Sequence, residues 1–226
     1  TRSAADAPER VALIADEATW TWRDVWAAVR SEPAPTGPVH LVPALDVPSV
    51  VAIFTAIHHG CALVLGEAME VTRPPERSAH GLLAIPFTSG TTRRPKGVRL
   101  TRGAFLAACA ATPDPRRLQD SDAALQTPPP AHVGGLSVLV RALVARRTVV
   151  LHSGSRAASD LMRRMVGDRV TLAAFVPTLV RRLVQEGHTS PPSLRAALVG
   201  GAPASQSLLR DARQLGFPVL PTYGMT

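Results

Sequence analysis

The chain has 226 residues, 46% hydrophobic and 4% aromatic, with 25 basic and 17 acidic side chains and a formal charge of +8. That apolar fraction excludes wholesale disorder, and no apolar run is long enough to read as a membrane span. Two cysteines, Cys61 and Cys109, make neither a disulfide framework nor a metal site, so a reducing, cytoplasmic setting is expected.

In chain order, Val11–Ala15 reads as a short element ahead of a helix. Thr21 and Asp24 have the spacing of a capping box ahead of a helix carrying Val25 and Val29. Ser31–Pro38, with three prolines and a glycine, reads as a loop. Asp46-Val47-Pro48 opens a second helix that ends at Gly60, and Cys61–Leu65 is a buried strand. From Leu82 onward, apolar runs of strand length alternate with helical patterns. The predicted strands are 82–88, 123–127, 148–152, 170–175, 194–199 and 218–222. The predicted helices are 101–111, 135–145, 157–166, 177–186 and 205–215. This alternation predicts an α/β fold with largely parallel sheets flanked by helices. Two parts are expected: residues 1–81, and residues 82–226 with the chemistry. The last residues read as a strand followed by a turn, so a fragment of a longer protein is expected.

The basic charge needs a cause before it is given a partner. Twenty-four of the 25 basic residues are Arg, and the remaining one is Lys96. The arginines are scattered in ones and twos, with no basic run and no aromatic interleaving, so nucleic acid is not the expected partner. The single lysine is the informative one. It closes the segment Phe87-Thr88-Ser89-Gly90-Thr91-Thr92-Arg93-Arg94-Pro95-Lys96-Gly97, which follows an apolar strand. Hydroxyls, glycines that admit close backbone approach and a mobile cation together suit anionic phosphate oxygens. The Gly-Lys-Ser/Thr order of a Walker A loop is absent. Composition alone leaves an ordinary surface loop open.

The segment resembles the phosphate loop of the acyl- and aryl-acid adenylating superfamily, except that Arg93 stands where that family usually has Gly. Three further segments follow in the family's order. Pro128-Pro129-Pro130-Ala131-His132-Val133-Gly134-Gly135-Leu136 is similar to the acyl-pocket segment. Gly200-Gly201-Ala202-Pro203 is similar to the adenine-side loop, and Thr222-Tyr223-Gly224-Met225-Thr226 to the nucleotide motif. Within the superfamily, the chain looks most like the o-succinylbenzoate–CoA ligases of menaquinone synthesis.

The resemblance implies a fold, a reaction and a set of roles. A carboxylic acid is activated by ATP, with Mg²⁺, as an acyl-adenylate and then passed to CoA. Thr88, Ser89, Gly90, Thr91, Thr92 and Lys96 would hold phosphates. Gly200, Gly201, Ala202, Pro203, Tyr223 and Gly224 would hold the nucleotide, and Thr226 would contact the α-phosphate. His132 and Gly135 would line the acyl pocket, and Arg141 would bind the free succinyl carboxylate. Lys96, His132 and Thr226 would act in the chemistry, and no metal ligand is assigned. The resemblance leaves open an adenylating enzyme for another acid, a non-catalytic nucleotide-binding remnant, and an oligomer. These 226 residues alone are expected to bind nucleotide weakly and not to complete catalysis.

Overall fold

The computed structural model describes residues 7–16, 18–66, 81–88, 96–111, 119–153 and 157–224. The first half carries β1 (Val11–Ala15), β2 (Ala18–Thr21), α1 (Trp22–Ser31), β3 (Val39–Leu41), α2 (Val47–His58), β4 (Leu63–Leu65), β5 (Leu82–Thr88), β6 (Lys96–Gly97), β7 (Leu100–Thr101) and α3 (Arg102–Ala110). The second half alternates: β8 (Ala123–Gln126), α4 (Val133–Ala145), β9 (Thr148–Leu151), α5 (Ala158–Gly167), β10 (Leu172–Phe175), α6 (Pro177–Gln185), β11 (Ala196–Val199), α7 (Gln206–Gln214) and β12 (Val219–Pro221).

The helix starts follow from their sequences. Thr21 and Asp24 form the reciprocal capping box of α1, and the Asp46 carboxylate accepts the Ser49 amide at 2.8 Å at the start of α2. The Ser205 hydroxyl accepts the Leu208 amide to open α7. Helix α4 ends on Arg146 with φ 56°, a conformation usually given to glycine.

Two sheets result. Seven strands run in the order β12-β11-β10-β8-β9-β1-β2, all neighbours parallel except the β1–β2 hairpin. The second sheet has β3, β4 and β5 parallel, with β6 and β7 antiparallel to β5. Helices α1, α2 and α4 pack between the sheets: Val25, Phe54 and Leu139 meet Leu13 and Val149 of one sheet and Leu63 and Leu83 of the other. On the far face of the seven-stranded sheet, Leu161, Leu183 and Leu209 of α5, α6 and α7 cover Val150, Phe175 and Val199. Neighbouring Val149 and Val150 thus serve opposite layers, as the alternation of a strand requires.

The predicted alternation from Leu82 onward is present, and boundaries move by at most two residues. Helix α4 begins at Val133 rather than Gly135, because Gly134 and Gly135 are taken into its first turn. Strands β2, β3, β6 and β7 escape the sequence reading. Each is only two to four residues long and is made by pairing, not by an apolar run of its own.

At the N-terminal ends of the parallel strands, Asp122 ties three of them together. Its carboxylate accepts Arg195 Nε at 2.8 Å, a second bond from the same guanidinium, and the Thr171 hydroxyl at 2.7 Å. The carboxylate is buried while Arg195 reaches solvent. Burial pushes the Asp122 carboxyl up, but the bonds from Arg195, the Gln119 amide and Thr171, with the Arg195 charge, outweigh it and hold the carboxyl below its usual range. Its stabilisation is therefore full above the unfolded carboxylate value of about 3.9 and is lost as pH falls through the lower folded value. We expect Asp122→Ala to lower the unfolding free energy at pH 7 by about 3 kcal/mol. Urea unfolding at pH 7 and pH 3 checks it: the deficit should shrink at pH 3.

Candidate active site

The parallel strands of the large sheet all end at one edge. Strand β9, the successor of β8, lies on one side of β8, and β10 lies on the other. The strand order therefore reverses at β8, and open α/β sheets bind ligands in the crevice at the carboxyl ends of such strands. The segments leaving this edge are Thr127–His132 after β8, Val176 after β10, Gly200–Pro203 after β11 and Thr222–Gly224 after β12. Thus His132, the glycine loop and Tyr223, far apart in sequence, are gathered on one edge.

After β8 the chain turns tightly into α4. The His132 amide donates to the Pro129 carbonyl at 3.0 Å, and the His132 carbonyl accepts the Leu136 amide at 2.9 Å. His132 is the extended residue just before the helix, and its ring is exposed and makes no capping bond. The ring is therefore available to a ligand over the edge. Gly135 is buried against the turn. A Cβ there would sit 2.6 Å from the Pro128 carbonyl oxygen and closer still to that of Pro129, so no larger residue fits. Sequence reading missed Gln126 and Thr127. The Gln126 side chain is fully buried, and its Nε2 donates to the Pro128 carbonyl at 2.6 Å and to the Gly135 carbonyl at 3.2 Å. The Thr127 hydroxyl donates to the Ala174 carbonyl on β10, tying the two strands at the switch point. A polar side chain closing the apolar run Ala-Ala-Leu-Gln was the available signal.

Between α4 and the sheet lies a cavity of about 110 Å³. Alanines at 124, 142, 174 and 196 leave the space, with Leu172 and Leu198 in its walls, and Arg141 is its one charged lining residue. Cys109 of α3 is close to Arg141: burial pushes its thiol up, and the Arg141 charge pulls against that. An apolar recess with one guanidinium suits a carboxylate carried on an apolar body.

The β11 and β12 ends of the edge carry the glycine loop and Tyr223. Gly201 has φ 81°, which favours glycine. A Cβ on Gly200 would fall 2.5 Å from Thr222 Oγ1, so the β11 and β12 loops touch there. Thr222 is pinned by its amide to the Val199 carbonyl at 2.8 Å and by its hydroxyl to the same oxygen at 3.2 Å. Tyr223 follows it, 92% exposed, which excludes a core tyrosine. Ala202, Pro203 and Gly224 are also exposed.

Thr88 and Lys96 lie on the second sheet, paired with one another across β5 and β6. Lys96 is exposed at the strand end. Ser89, Gly90, Thr91, Thr92, Arg93 and Thr226 lie outside the described residues.

The profile of the AMP-binding enzyme family matches residues 39–226. The chain is 37% identical over 142 residues to a 2-succinylbenzoate–CoA ligase of Bacillus pumilus; the match covers 63% of this chain and 29% of that protein. The chain thus spans about a third or less of the length of such relatives. An o-succinylbenzoate coenzyme A synthetase from Bacillus subtilis in complex with AMP superposes with a TM-score of 0.84 at 25% identity, covering 99% of this chain and 72% of that chain. The same synthetase bound to its acyl-adenylate intermediate superposes with a TM-score of 0.83 at 25% identity, covering 99% and 57%. The segments that build the strand-end crevice all fall inside the matched range, and the chain belongs to the AMP-binding enzyme family.

Proposed function

We propose that the chain forms the acid- and nucleotide-binding part of an ATP-dependent acid–CoA ligase, with 2-succinylbenzoate as the acid. The observation that carries this reading is the small apolar cavity between α4 and the sheet, with Arg141 in its wall on the helix that His132 precedes. A 2-succinylbenzoate-like acid has an aromatic body and two carboxylates. One carboxylate meets Arg141, and the other reaches the edge to react.

The reaction has two steps. A carboxylate oxygen of the acid attacks the α-phosphorus of ATP, a new P–O bond forms, and pyrophosphate leaves. The thiolate of CoA then attacks the acyl carbon, and AMP leaves. The chain's residues act by position and charge. Tyr223 presents an open aromatic face for the adenine, with Gly200 and Gly201 as a wall that lets the ring approach. Gly224, Ala202 and Pro203 lie on the same two loops. His132 donates to an oxygen of the reacting carboxylate and holds it in place for attack. Lys96, with Thr88 and the loop between them, neutralises the departing phosphates. Thr226 contacts the α-phosphate. Among the described residues no group of three or more His, Cys, Asp or Glu stands together. Mg²⁺ would be carried in on the triphosphate, which is how it is commonly bound.

Calorimetry with AMP and with 2-succinylbenzoate tests the reading directly. Arg141→Ala should weaken 2-succinylbenzoate binding about 10- to 100-fold, the value of a charge-assisted bond, and leave AMP unchanged. Equal binding of the acid by both forms would remove Arg141 from the acid site. Tyr223→Ala should weaken AMP by roughly tenfold without moving the thermal midpoint, since the side chain covers no core. Gly200→Ala should also weaken AMP, because the new methyl displaces the Thr222 hydroxyl. Unaltered AMP affinity in both variants would place the nucleotide elsewhere.

A further inference from the structure

Gln126 is a buried polar side chain at the last position of β8, with no part in the core. Its amide orientation is dictated by its neighbours. Two carbonyl oxygens, those of Pro128 and Gly135, face it at 2.6 and 3.2 Å, so Nε2 and not Oε1 must point at them. The Oε1 atom is buried without a donor among the described residues. Methionine would fill the same space without that cost. What the amide adds is its grip on two carbonyls nine residues or fewer away, one before His132 and one after it.

We propose that Gln126 is a positioning residue for the acid, a latch that sets the place of His132. It joins Pro128, near the start of the turn, to Gly135 in the first turn of α4. The His132 amide bond to Pro129 and the close seat of Gly135 under the proline carbonyls depend on that closure. Gln126 itself touches no ligand. Its effect on the acid rests on the reading of this turn as the acyl site, whereas its effect on the turn does not.

Gln126→Met keeps the volume and removes both donors. Hydrogen exchange of the ligand-free protein should show the His132 and Leu136 amides exchanging at least about tenfold faster, with the amides of α7 unchanged. In calorimetry, 2-succinylbenzoate should bind about tenfold more weakly while AMP stays within about twofold. Unchanged exchange at His132 overturns the latch, and so does an equal loss of protection throughout the chain. Equal weakening of both ligands overturns its role toward the acid. If the unaltered chain binds AMP but not 2-succinylbenzoate, the proposed acid falls and the exchange measurement alone decides the latch. Should the Met variant not fold, Gln126→Glu decides: its neutral carboxyl at low pH can donate to the Pro128 carbonyl. Protection of His132, corrected for intrinsic exchange, should then rise as pH falls, and a flat response counts against the latch.

Discussion

A mostly parallel sheet must hide both of its faces, and the rest of this structure depends on that constraint. Val149 and Leu151 turn to one layer of helices and Val150 to the other. With both faces covered, the strand ends are the free backbone from which a site can be made. The reversal of strand order at β8 then opens a crevice between the β8 and β10 ends. His132 and the glycine loop are there because the sheet leaves them nowhere else to go.

The two ends of the sheet do different work. At the N-terminal ends, the buried Asp122 carboxylate gathers Thr171 and Arg195 and fastens three strands with charge-assisted bonds. At the C-terminal ends of β8, β10, β11 and β12, the bonds are between neutral groups: Gln126 to two carbonyls, Thr127 to Ala174, Thr222 to Val199. Strong ionic fastening sits away from the crevice, and the crevice is shaped by amides, hydroxyls and the absence of side chains at Gly135 and Gly200. Arg141 is the one charged side chain among the residues that line the cavity.

Much of the fold was legible because the relevant signals are local. The Thr21–Asp24 capping box, the Asp46 cap and the alternation after Leu82 each follow from a few adjacent residues, and each is present. The short strands β2, β3, β6 and β7 were not legible, since pairing with distant segments creates them. The motif segments around His132, Gly200 and Tyr223 were visible as sequence. Gln126 and Thr127 were passed over, because a polar residue ending an apolar strand has no meaning until its partners, Gly135 and Ala174, are known.

The sequence by itself determined the family, the order of the motifs and the meaning of the charge. Twenty-four arginines are dispersed over the chain, and the lone lysine closes the segment that resembles a phosphate loop. Tertiary structure decided which of those residues share a place. It brought His132, Gly200 and Tyr223 to one edge, put Arg141 into the wall of an alanine-lined cavity, and left Thr88 paired with Lys96 on the other sheet. The physical reason is that strand order and register arise from long-range burial. No local pattern in the chain states on which side of β8 the next strand will lie.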